Sequence, residues 1–84
     1  MRAVVLGMML LMSTPVMAET CAERIPFVRK VIDYDLKVNF IGKGVYEQMS
    51  ADLAEAEKAC KAGDNGRANQ IISATQTKHG YPVR

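Results

Sequence analysis

Residues 20–60 read TCAERIPFVRKVIDYDLKVNFIGKGVYEQMSADLAEAEKAC, and the two cysteines of the chain, Cys21 and Cys60, stand at mirror positions about the Phe40–Ile41 peptide bond. Across the same point Ile25 mirrors Ala56, Val28 mirrors Leu53, Ile32 mirrors Met49 and Leu36 mirrors Val45. The apolar positions of the first limb are spaced four, three, four and four, and those of the second four, four, three and four. Such spacings lay side chains along one face of an α-helix. Two helices folded back on each other bring mirror positions to the same level. The stretch therefore predicts a helical hairpin closed at its open end by a Cys21–Cys60 disulfide.

Local signals agree with that reading. Thr20-Cys21-Ala22-Glu23 has the form of a capping box, so a helix should begin there. Phe27 and Val31 are read as broadening the apolar stripe. Pro26 removes an amide donor and presses on the preceding turn, which predicts a kink, or a short turn over 21–24 followed by the main helix from 25 to about 38. Asn39-Phe40-Ile41-Gly42-Lys43-Gly44 interrupts the periodicity, and its two glycines are expected to supply the reversal. The second limb is rich in Ala, Glu and Lys, good helix formers, with Glu57 and Lys61 at i and i+4 on its exposed side. Gly63 should stop it.

Downstream, Asp64-Asn65-Gly66 makes a tight turn, with Asp64 or Asn65 capping a third helix. Ala68, Ile71, Ile72, Thr75 and His79 share one of its faces, and Gly80 with Pro82 ends it. Antiparallel packing would set Cys60 opposite Ala68, Ala56 opposite Ile72, Leu53 opposite Thr75 and Met49 opposite His79. The expected fold class is all-α: a small disulfide-stapled hairpin plus a third helix.

Upstream, residues 1–18 read as an export signal. Arg2 supplies a positive start, Ala3 to Met12 an apolar run, and Ser13-Thr14-Pro15 a break before Val16-Met17-Ala18. An apolar run of about ten residues is too short to span a bilayer as a helix, so cleavage after Ala18 is expected, leaving no stable membrane anchor. Cys21 follows Ala18-Glu19-Thr20, not the small apolar residues that precede a lipid-modified cysteine. The short apolar run, with Arg2 outside a twin-arginine pattern, reads as bacterial and Sec-type. The product is then expected in the periplasm or outside the cell, where cysteines oxidise. Residues 19–84 are read as one small helical domain. Removing 18 of 84 residues leaves 66, a size at which a staple is often needed.

Several function classes lose support once the leader is set aside. Five of the six methionines (Met1, Met8, Met9, Met12 and Met17) belong to it, so only Met49 remains and no thioether copper cluster is implied. Ten Lys and Arg then face nine Asp and Glu. That balance argues against nucleic acid and against a membrane-lytic peptide. The cysteines are separated by 38 residues, unlike the C-x-x-C of thiol exchange catalysts, and no C-x-x-C-H haem attachment pattern is present. His79 is the only histidine, too few for an ordinary zinc site with both cysteines oxidised. It is read as a half-buried or C-terminal helix residue. Asp33 and Asp35 flank Tyr34, and residues two apart on a helix point away from each other, so they do not form a carboxylate pair. Gly42-Lys43-Gly44 lacks the spacing of a phosphate-binding loop. No catalytic, metal or cofactor site is expected.

Five aromatics remain: Phe27, Tyr34, Phe40, Tyr46 and Tyr81. A three-helix domain of this size cannot bury them all. Phe40 and Ile41 at the hairpin tip and Tyr81 in the tail are the candidates for contact with a partner. The chain is thus expected to be a non-enzymatic interaction or accessory module, its partner another exported protein. The alternative is a small periplasmic stress protein, acid-chaperone-like or binding a ligand or metal in a groove between helices. In size and layout the chain resembles acid-stress periplasmic chaperones, an analogy of architecture.

Overall fold

The computed structural model describes residues 20–83, and the expected leader at 1–18 lies outside the described residues. Three α-helices follow one another: α1 (Cys21–Lys37), α2 (Lys43–Lys61) and α3 (Asn65–Lys78). All three pack together, and no strand occurs among the described residues. The core consists of Cys21, Ile25, Val28 and Ile32 from α1, Met49, Leu53 and Ala56 from α2, and Ala68 and Ile72 from α3. The mirror pairs Ile25 with Ala56, Val28 with Leu53 and Ile32 with Met49 are all buried. Leu36 and Val45, nearest the tip, are only half-buried.

The open end is closed by the Cys21–Cys60 disulfide, with a Cα–Cα distance of 6.0 Å. Asn65 Oδ1 lies 2.7 Å from Cys21 Sγ. An oxidised sulfur has no proton to donate, so this is a packing contact at the start of α3 rather than a hydrogen bond.

Helix α1 starts in the capping box: the Glu23 amide donates to the Thr20 hydroxyl at 3.3 Å, and the Thr20 amide to the Glu23 carboxylate at 3.4 Å. It then runs as a single helix through Pro26, with no separate turn over 21–24. The geometry explains this tolerance. Pro26 and Ala22, whose carbonyl loses its usual partner, are both exposed, so water can satisfy that oxygen.

Each helix ends in the same way. The residue after the C-cap adopts a left-handed conformation: Asn39 (φ 62), Gly63 (φ 86) and Gly80 (φ 80). Two reversed hydrogen bonds close each end. After α1, Asn39 N–H donates to Leu36 O and Phe40 N–H to Asp35 O. After α2, Gly63 N–H donates to Cys60 O and Asp64 N–H to Ala59 O. After α3, Gly80 N–H donates to Thr77 O and Tyr81 N–H to Gln76 O. These are Schellman motifs, which satisfy carbonyls the helix leaves unpaired. The hairpin reversal was expected from Gly42 and Gly44, but Asn39 makes it. Gly42 caps α2 in extended backbone (φ −88) and Gly44 sits inside that helix. Asn is the residue other than Gly that most readily takes this conformation.

Helix α3 is capped by Asp64, whose carboxylate accepts from the Arg67 amide at 3.1 Å. Its Thr75 is buried and donates to Asp52 on α2 at 2.8 Å, one residue from the expected level of Leu53. Toward α1 it presents Asn69, Ser73 and Gln76. Arg24, only 8% exposed, lies against them. Its guanidinium donates to Asn69 Oδ1 (3.1 Å), Ser73 Oγ (3.0 Å) and Gln76 Oε1 (3.1 Å). A buried guanidinium is tolerated only when its donors are occupied, so this fork fixes the register of α3 on α1.

Candidate functional site

The three residues expected to contact a partner divide into one free and two packed. Phe40 is 74% exposed at the hairpin tip. Its backbone is nonetheless fixed, since the amides of Phe40 and Ile41 both donate to the Asp35 carbonyl, at 2.8 and 3.3 Å. Ile41 and Tyr81 are half-buried and pack against the core. Tyr81 reaches the same residue from the other side: its hydroxyl donates to the Asp35 carboxylate at 2.5 Å. Asp35 thus gathers the tip and the tail at one end of the bundle.

Burial of Tyr81 and its bond to Asp35 both hold the phenol pKa far above its ordinary value. On the opposite flank of α1, Tyr46 donates to Asp33 at 2.7 Å, and this bond, with a smaller contribution from burial, raises its pKa as well. The two carboxylates are apart, as their spacing requires. Each serves as an anchor for a tyrosine from elsewhere in the chain.

A surface that the sequence reading did not isolate lies along α1. Phe27 (47% exposed), Tyr34 (63%) and Val38 (48%) stand out from the helix, and Val31 is half-buried between them. Their spacing of four, three and four puts them on one stripe, turned well away from the core stripe. Phe27 and Val31 therefore do not broaden the buried face; they belong to a second one. Phe27, Val28 and Val31 form one wall of a shallow groove of about 230 Å³, and Gln76, Tyr81 and Pro82 the other. Lys30 and Asp35 border the neighbouring depression beside Phe27, Val31 and Tyr34.

The remaining titratable groups offer little chemistry. Both sulfurs are bonded to each other, and no free cysteine remains among the described residues. His79 is half-buried beyond the end of α3, and its Nε2 is shielded with no hydrogen-bond partner among the described residues. Among the described residues no group of three or more His, Cys, Asp or Glu side chains stands close enough to hold a metal ion. No helix of the described residues is long and apolar enough to cross a membrane. No protein-family model matches this chain, and no curated protein or solved structure matches it significantly.

Proposed function

We propose that the chain is an exported, non-enzymatic interaction module, acting in the periplasm or outside the cell on another exported protein. The observation that carries this reading is Phe40. A large apolar side chain, 74% exposed, is held on a backbone turn fixed by two amides on the Asp35 carbonyl. Presenting an aromatic from a rigid turn lowers the ordering cost of binding, which is how interface anchors work. The disulfide fits an oxidising compartment, and the sequence of residues 1–18 fits an export signal.

The test is photo-crosslinking in living cells with a photoreactive phenylalanine analogue at position 40, and a matched probe at the exposed Lys58 on α2 as control. A discrete adduct from position 40 alone, competed away by excess unlabelled native protein but not by excess Phe40→Ala protein, is the expected result. Equal labelling from both positions would sink the reading. Recovery of the chain in the cytoplasm with residues 1–18 attached would remove its export half.

A second reading, an acid-stress protein that loosens at low pH, is favoured by the two tyrosines that depend on carboxylates, Tyr46 on Asp33 and Tyr81 on Asp35. Protonating those acceptors removes the charge that strengthens both bonds. Dye binding by exposed apolar surface and suppression of client aggregation in acid would support it. A small-ligand reading has weaker support, because the depressions of about 230, 320 and 440 Å³ lie below or near the small end of ligand sites and open to solvent.

A further inference from the structure

The outward stripe of α1 has the pattern of a heptad seam. With Val31 and Val38 at the a positions and Phe27 and Tyr34 at d, the flanking g positions hold Lys30 and Lys37, and the e position nearest the centre holds Asp35. From these we infer that the chain forms a dimer in which two copies of α1 pack in parallel through this stripe. The arrangement is isologous, each residue meeting its own counterpart across the two-fold axis.

Charge decides the orientation. In a parallel pair a g position faces the e position five residues on in the other helix, so Lys30 of each copy meets Asp35 of the other, twice by symmetry. In an antiparallel pair g faces g, which sets Lys30 against Lys37. Lys30 and Asp35 both border the depression beside Phe27, Val31 and Tyr34, so the complementary charges lie at the rim of the apolar patch they would guide. One heptad earlier the a and e positions hold Arg24 and Val28, both buried within the bundle, so the contact is confined to Phe27, Val31 and Tyr34 with Val38 at the helix end, and the Arg24 fork keeps its partners on α3. The dimer does not depend on the compartment in which the protein works.

The test is sedimentation equilibrium on protein produced from the full chain with its disulfide intact. A reversible monomer–dimer equilibrium is expected, with Tyr34→Asp weakening it at least about tenfold while the helical circular dichroism spectrum is kept. Lys30→Glu separates the orientations. It places Glu against Asp35 in the parallel dimer and weakens it, whereas it relieves the Lys30–Lys37 contact of an antiparallel one and tightens it. Because Asp35 also accepts from Tyr81 through Oδ2, its charge is left in place and salt gives the matching readout: added salt should weaken the native dimer and strengthen that of Lys30→Glu. A monomer at up to about 1 mM overturns the proposal, because an association that weak has no standing as a dimer. Tightening by Lys30→Glu, or a dimer indifferent to Tyr34→Asp, overturns it too.

Discussion

Tyr81 and Asp35 are separated by 46 residues in sequence and joined by a hydrogen bond of 2.5 Å, which holds the chain beyond α3 against the last turns of α1. The relationship makes the tail part of the fold. Tyr81→Phe keeps the ring packed against the core and removes the bond, so a loss of about 1 kcal/mol is expected, the usual net worth of a hydrogen bond and below that of a fully buried one to a charged group. Chemical denaturation should show it as a shifted midpoint with an unchanged slope.

The same bond gives an alkaline limit. The folded pKa of Tyr81 is raised above the ordinary 10.0, first by burial and then by Asp35. The unfolded chain therefore releases this proton more readily. The contribution is fully present below about pH 10 and is lost as pH rises through the folded value. Spectrophotometric titration of tyrosinate should show a strongly lagging component in the native protein that disappears in denaturant, and in Tyr81→Phe only the smaller lag of Tyr46 should remain. A native titration superimposable on the denatured one would contradict this.

Arg24 supports a third prediction. Arg24→Ala strands Asn69, Ser73 and Gln76 on α3 and opens a hole beside the core, a combination expected to cost about 3 kcal/mol. Arg24→Lys cannot reproduce the planar fork and should recover only part of that loss. Amide exchange would locate the effect: protection should fall first in α3. A uniform loss across all three helices would mean that Arg24 does not fix α3.

The glycines divide by backbone geometry. Gly44 lies in the first turn of α2 with open space where a Cβ would stand, so Gly44→Ala should stabilise by about 0.5 kcal/mol. Gly63 has the same open space but a φ of +86, and Gly63→Ala should cost about 1 kcal/mol. Thermal melts of the two variants, moving in opposite directions, check the pair.

Reduction tests the staple. The disulfide closes a loop of about 40 residues, which in the chain-entropy model corresponds to about 4 kcal/mol, close to the whole stability of a small domain. Treatment with reductant should lower the melting temperature sharply and reduce helical signal at ambient temperature. An unchanged melt after complete reduction would show that the three-helix core suffices alone.

Much of this architecture was legible because it rests on periodicity. The buried apolar residues of α1 and α2 fall on a single mirrored pattern, and Asp64, Gly63 and Gly80 are residues whose chemistry suits the ends they occupy. What escaped was whatever needed a second face to be read. Arg24 lies between Cys21 and Val28 on the inward side of α1, and Asn69, Ser73 and Gln76 are spaced four and three along α3. A charge within an apolar stripe carries no periodicity of its own, so the match shows only when α1 and α3 lie side by side. Phe27 and Val31 adjoin the core stripe in sequence, and only their four-three-four spacing with Tyr34 and Val38 separates the two faces. The turn at Asn39 was hidden by two nearby glycines that look better suited to it. At the expected contact site, exposure of Phe40 followed from its place at the tip. The half-burial of Tyr81 followed from a carboxylate that its sequence neighbourhood does not reveal.

The Cys21–Cys60 bond and the hairpin tip form a closed covalent circuit, and α3 hangs from it as a single arm. A break in the backbone at the tip, after Lys43 for example, would leave every residue still attached through sulfur. Such a nicked molecule stays a single particle, heavier by one water, until it is reduced, and its α1–α2 packing is spared. The end of the bundle that carries Phe40 is therefore the place where chain continuity is needed least, and where variation in length or sequence can accumulate at the smallest risk to the fold.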